Sequence, residues 1–195
     1  MIEYYENIDS EETSAELETF LLNSSWKWGY KSLNDLTTRS IPHWTIIFGG
    51  KTNIKDQNFD CEHELTGIVK TVWNNVKEKY FEEDDRLVRC YANAISTGID
   101  QRLHVDDTLH GAKTLIVYVN KTWTVDYAGE TIIWDREKRQ IIGSYLPKFN
   151  SCLLISGDCW HGVRPVSSYC DTIRMSIMFK TRPMQSFLYA DATRS

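Results

Sequence analysis

A chain of 195 residues, 42% hydrophobic and 25% charged, can close one substantial core and has the balance of an ordinary globular protein. Its 22 basic and 27 acidic side chains give a formal charge of −5, which argues against a non-specific nucleic-acid binder because phosphate neutralisation needs a basic surface. The start Met1-Ile2-Glu3-Tyr4-Tyr5-Glu6 lacks a basic flank and an apolar run, no stretch approaches the roughly 20 apolar residues of a membrane span, and the five cysteines form no CxxC pair, so the expectation is a cytoplasmic protein with reduced thiols, no signal peptide and no membrane contact.

In chain order, Ser10-Glu11-Glu12-Thr13 followed by Leu17, Phe20 and Leu21 predicts a capped helix with an apolar stripe. Trp26–Tyr30 and Trp44–Phe48 read as short strands. Over Cys61–Tyr80, Leu65, Ile68, Val69, Val72, Trp73, Val76 and Tyr80 recur at three- and four-residue intervals, predicting a helix whose apolar face packs on something. From Arg86 the texture changes. Leu87–Ile95, Ala112–Asn120, Thr131–Trp134, Gln140–Tyr145, Cys152–Ile155 and Ile173–Lys180 are short runs rich in β-branched and aromatic residues, punctuated by Gly, Asn, Asp and Pro. With no helical segment between them they must pair antiparallel, in a sandwich, barrel or jelly roll. The expected architecture is mainly β, with two N-terminal helices on one face of the major sheet. It forms a single domain over 1–195, with 1–85 as buttress and 86–182 as the β core.

Three segments of that β half carry chemistry. His104-Val105-Asp106, on or near a strand, puts an imidazole and a carboxylate on one face. Asp158-Cys159-Trp160-His161-Gly162-Val163 places a second histidine after the apolar strand Cys152–Ile155. In Ile173–Phe179, alternation gathers Arg174, Ser176 and Met178 on one face. An arginine inside an apolar strand needs an anion, and its planar fork suits a carboxylate. Each piece alone has a plainer reading: a surface His–Asp neighbour pair, a histidine bonded to a backbone carbonyl, or a structural Arg–Asp pair. Together, two histidines and one carboxylate form a donor set that leaves open metal positions, as in non-haem Fe(II) oxygenases. Zinc is the competing ion, but structural zinc sites take four ligands, often cysteines with a spacing absent here.

Five segments in order resemble the 2-oxoglutarate/Fe(II) dioxygenases, and within them the prolyl 4-hydroxylase-like branch. They are Cys90-Tyr91 with the Gly-containing loop leading to His104-Val105-Asp106; Tyr118-Val119-Asn120-Lys121-Thr122-Trp123; Ala128-Gly129-Glu130-Thr131; His161-Gly162-Val163 with Pro165; and Thr172 with Arg174. The resemblance implies a double-stranded β-helix (jelly-roll, cupin-like) core. It implies Fe(II) on His104, Asp106 and His161, 2-oxoglutarate on Arg174 with Tyr118, Tyr91 near the co-substrate's metal-binding end, and O2 as oxidant with ascorbate as reductant. Ser176 shares the face of Arg174 and could donate a further hydrogen bond. Trp123, Trp134 and Trp160 read as core or rim packing. Two departures stand out: Val166–Asp171 and Ala92–Arg102 are both longer than the family pattern. The implied reaction is hydroxylation coupled to decarboxylation of 2-oxoglutarate to succinate and CO2. A prolyl residue in a peptide or protein is the first substrate expected, with a free amino acid or small metabolite as the alternative. A non-catalytic, metal-binding cupin-like barrel is the reading from a different class.

Overall fold

The computed structural model describes residues 1–31, 41–51 and 60–185. Eleven strands and two α-helices occur among them: β1 (Ile2–Glu6), α1 (Glu11–Leu22), β2 (Lys27–Tyr30), β3 (His43–Gly49), α2 (Gly67–Tyr80), β4 (Asp85–Ile95), β5 (Gln101–His104), β6 (Lys113–Tyr118), β7 (Thr131–Trp134), β8 (Ile141–Tyr145), β9 (Ser151–Ser156), β10 (His161–Val163) and β11 (Arg174–Pro183). The strands form a seven-stranded sheet, β1-β9-β6-β11-β4-β3-β2, and a four-stranded sheet, β5-β10-β7-β8. Every pairing is antiparallel. From β4 to β11 the chain passes between the two sheets, leaving β4, β11, β6 and β9 adjacent in the large one. This is the expected double-stranded β-helix. No helix among the described residues is long and apolar enough to cross a membrane.

The large sheet is covered on both faces, so β4 and β11 are buried almost end to end and show no solvent alternation. On one face, Leu17 and Leu21 of α1 and Val69, Val72, Trp73 and Val76 of α2 join Cys90, Ala92, Leu115, Leu154, Ile177 and Phe179 in the main core. Trp73, fully buried, stacks on Phe179 with centroids 5.3 Å apart. The opposite face meets the small sheet through Tyr91, Ile116, Tyr118, Leu153 and Met178. Residues of β4 and β11 with one parity therefore fill the core, and those of the other parity look into the space between the sheets.

Several elements differ from the sequence reading. Cys61–Leu65 is not part of α2: a 3-10 turn spans Glu62–Glu64 and the helix begins at Gly67, after the extended Thr66. Phe20 is 40% exposed and leans on Phe48 at 6.0 Å instead of joining the stripe of Leu17 and Leu21. Strand β1 was not anticipated. Its Ile2-Glu3-Tyr4-Tyr5-Glu6 is too polar to signal a strand, and it forms by adding to β9, with Tyr4 opposite Leu153. The long Val166–Asp171 stretch folds onto the site's rim, where Val166 bridges Thr97 and Ala128 and packs with Cys170, Ile95 and Val163. Its extra residues make a small core of their own and leave Arg174 in register, opposite Ile95 on β4.

Ser10 caps α1 from an extended conformation, its Oγ accepting a hydrogen bond from the Thr13 amide at 3.0 Å. Ser10→Ala should cost about 1 kcal/mol. That is a fall of roughly 2–4 °C in Tm for a chain of this size, readable by thermal unfolding.

Candidate active site

The two histidines meet because β5 and β10 are neighbours in the small sheet, with His161 directly opposite His104. Their ring centroids lie 4.4 Å apart. Each ring is held through Nδ1: that of His104 lies 2.7 Å from the Arg102 carbonyl, and that of His161 lies 2.9 Å from the Cys159 carbonyl. A carbonyl can only accept, so Nδ1 carries the proton and each Nε2 keeps its lone pair. Both Nε2 atoms point at Asp106, at 3.6 Å from Oδ1 for His104 and 3.7 Å from Oδ2 for His161. One ligand atom from each of the three residues lies within 4.8 Å of the others. Burial, with the neighbouring His161 ring, lowers the pKa of His104 to about 4, leaving it neutral and able to ligate at neutral pH.

Asp106 lies just beyond β5, and its position is set by the backbone. The amides of Asp106 and Asp107 both donate to the Gly157 carbonyl at 2.9 Å. A Cβ at position 157 would sit 2.9 Å from Asp107 Cβ and 3.0 Å from Ala112 Cβ, so this close approach requires glycine. Asp106 Oδ2 accepts from Thr114 Oγ1 at 2.8 Å, and Oδ1 accepts from Lys180 Nζ at 2.7 Å. Burial works against the carboxylate, but the Lys180 ammonium beside it holds its pKa well below the ordinary value. The same pairing raises Lys180 above its usual range despite burial.

These groups line a cavity of about 530 Å³ between the sheets, together with Tyr91, Thr131, Arg174 and Ser176. Arg174 is 1% exposed. Its Nε donates to the Gly129 carbonyl at 2.7 Å, Nη2 to Thr131 Oγ1 at 3.1 Å and Nη1 to Ser176 Oγ at 3.4 Å. Gly129 has φ +73°, and a Cβ there would meet Arg174 Cδ at 3.2 Å and Trp123 Cζ2 at 3.3 Å; the turn and the close approach both call for glycine. Among the described residues no carboxylate forms an ion pair with Arg174. The nearby Glu130 favours its charged form but makes no direct bond to it. Tyr118 does not line the cavity: its hydroxyl donates to Thr131 Oγ1 at 2.8 Å, and its ring lies under the Arg174 guanidinium, 5.6 Å from centroid to Cζ. Tyr91 does line it, and burial pushes its hydroxyl up to about 12.

Among the tryptophans, Trp123 packs in the rim cluster and donates to the Ala128 carbonyl at 2.9 Å, and the Trp160 ring carries Lys138 Nζ 3.8 Å from its centroid. The sequence reading missed Lys180, Thr114, Thr131 and Arg89. Two of them had a signal. Lys180 continues the Arg174, Ser176, Met178 face by one more step of two, and Arg89 precedes Tyr91 by two. Thr114 and Thr131 carried none, since a threonine in a strand is unremarkable until its partner is known.

Residues 88–179 match the model of the 2OG-Fe(II) oxygenase superfamily. No curated protein sequence matches the chain. Among solved structures, a prolyl-4-hydroxylase of Pseudomonas putida is similar with a TM-score of 0.61 and 13% identity, covering 93% of this chain and 92% of that one. A prolyl hydroxylase of Trichoplax adhaerens, in complex with a peptide fragment of the hypoxia inducible factor oxygen degradation domain, gives 0.62 at 15% identity, over 96% and 86%. HygX of Streptomyces hygroscopicus, with nickel and 2-oxoglutarate bound, gives 0.62 at 8% identity, over 93% and 82%. At these identities the likeness is one of fold.

Proposed function

We propose, from the match of residues 88–179 to the model of the 2OG-Fe(II) oxygenase superfamily and from the geometry of the site, that His104, Asp106 and His161 hold Fe(II) and that Arg174 receives the distal carboxylate of 2-oxoglutarate in an enzyme that hydroxylates its substrate. One observation carries the reading: two imidazoles with Nδ1 committed to carbonyls turn both Nε2 atoms onto a single buried carboxylate, in the same cavity as a buried arginine. Two nitrogens and a carboxylate suit Fe(II) and leave positions open for further ligands.

When bound, the iron with 2-oxoglutarate and O2 supplies oxidative decarboxylation to succinate and CO2 and transfer of an oxygen atom to the substrate. The protein's part is positional. The Arg102 and Cys159 carbonyls fix the tautomer and tilt of the two rings. Lys180 and Thr114 fix the carboxylate. Gly129 and Thr131 aim the guanidinium from behind, leaving its remaining hydrogen-bonding capacity to an anion. His104, Asp106, His161 and Arg174 are themselves buried between the two sheets.

A prolyl residue in a peptide or protein is the first substrate to test, on the strength of the family resemblance and of two prolyl hydroxylases among the similar folds. A small carboxylic acid or free amino acid is the second reading, favoured by the cationic lining of the cavity.

The test is an anaerobic titration of the apo-protein with Fe(II) and then 2-oxoglutarate, with ascorbate keeping the iron reduced, watching for the visible charge-transfer band of a chelated oxo acid. Wild type should develop the band. His161→Ala should not, and Arg174→Ala should need at least tenfold more oxoglutarate, the loss of roughly one charge-assisted bidentate contact. No band with iron in excess would point instead to a non-catalytic metal-binding barrel.

A further inference from the structure

Once Lys180 is assigned to Asp106 and Arg174 to oxoglutarate, the cavity still holds a cation with no anion among the described residues. Arg89 lies on the cavity face of β4, two residues before Tyr91, and is 3% exposed. Its guanidinium stacks on the Tyr91 ring, 4.1 Å from the centroid, and Nη2 donates to the Tyr30 hydroxyl at 3.0 Å. Its buried Nε has no hydrogen-bond partner, and among the described residues no carboxylate lies within ion-pair distance. Register makes the situation worse, because Arg89 sits directly opposite Lys180 on β11 and like charges in that position repel. Lys180 itself lies 5.3 Å from the centroid of the same Tyr91 ring. Arg89 is thus one side chain away from the group that holds Asp106.

The charge balance of the cavity points the same way. Among the described residues its lining carries four cations, Arg89, Arg174, Lys180 and the exposed Lys31, against Asp106 alone, a surplus of three positive charges. Fe(II) and doubly ionised 2-oxoglutarate cancel each other, so loading the site leaves the surplus unchanged. A fold does not gain by burying a lone guanidinium against another cation. A ligand with a planar anion would complete it.

Building on the hydroxylase reading above, we infer that Arg89, with Tyr30, is the substrate-recognition site and that the substrate carries a carboxylate close to the carbon that is hydroxylated. Tyr91 forms the floor on which the guanidinium rests. The two-pronged donor favours a carboxylate over a neutral amide because only the former accepts both N–H bonds with a compensating charge. Either a free amino or organic acid, or an acidic side chain or C-terminus of a peptide, presents that chemistry.

The experiment compares wild type with Arg89→Met, which keeps an apolar stem over Tyr91 and removes the charge. In thermal unfolding of the metal-free proteins, Arg89→Met should melt a few degrees higher, since it relieves an unpaired buried cation. A lower Tm would make Arg89 a structural residue and overturn the proposal. In the anaerobic Fe(II)–oxoglutarate complex, propionate should raise the Tm of wild type and leave Arg89→Met unmoved, and propionamide should affect neither. Equal responses to acid and amide would overturn it. A requirement for more oxoglutarate to form the charge-transfer band in Arg89→Met would also overturn it, by moving Arg89 to the co-substrate. The source of the carboxylate is read from two pairs in the same assay: L-proline against L-prolinamide, and a prolyl peptide flanked by glutamate against its glutamine analogue. If no band forms even in wild type, the hydroxylase reading fails, while the sign of the melting shift still decides whether Arg89 is an unpaired cation.

Discussion

His104→Ala and His161→Ala should each reduce iron- and oxoglutarate-dependent succinate formation to the protein-free background while leaving the protein folded. On the proposed Fe(II) assignment, a site reduced to one histidine and one carboxylate has no fallback. The cost to folding is small by comparison. Each ring's one protein hydrogen bond is to a carbonyl two residues earlier, on Arg102 or Cys159, and truncation at such a position costs about 1–3 kcal/mol. The measurement is succinate release with circular dichroism of the same preparations. Wild-type turnover in either folded variant would remove that histidine from the site.

Asp106→Ala should behave differently, because its carboxylate pairs with Lys180 in the fold as well as belonging to the proposed metal site. Lys180, 8% exposed, has Asp106 as its ion-pair partner at 2.7 Å, and removal of Asp106 leaves a buried ammonium opposite Arg89. Breaking a buried pair from one side costs roughly 3–5 kcal/mol, or about 10 °C in Tm for a chain of this size. Lys180→Met added to Asp106→Ala should recover most of that loss, since two apolar groups replace an ion pair with little net change. The double variant should stay inactive. Thermal unfolding in EDTA gives the reading without stabilisation by bound metal. A single variant as stable as wild type would mean that the Lys180 charge is solvated.

The contrast between the histidines and Asp106 follows the line between what is legible in the chain and what is not. His104-Val105-Asp106 is recognisable because two ligands two residues apart share one face of an extended chain, and Arg174 because an arginine in an apolar strand calls for an anion. Strands of the β half were legible wherever apolar and β-branched residues clustered, as in Leu87–Ile95 and Cys152–Ile155. Strands β1 and β10 were not, because Ile2-Glu3-Tyr4-Tyr5-Glu6 and His161-Gly162-Val163 lack that texture. They are strands because β9, β5 and β7 offer them unpaired edges. Phe20 stays 40% exposed for a related reason: helical periodicity identifies a face but not how far the neighbouring layer reaches across it.

The sequence by itself determined the class of fold, the identity of the three candidate ligands and the arginine, and their order along the chain. These are properties of residue type and local spacing, which the extended backbone converts directly into facing. Only the tertiary structure decided which charges are paired. The β4–β11 register sets Arg89 against Lys180, and the Gly157 turn brings Asp106 to Lys180 across 74 residues of chain. Among the described residues, that outcome leaves two arginines in the cavity without a carboxylate of their own. Electrostatic partnership depends on distance and burial between remote strands, and no local pattern encodes either.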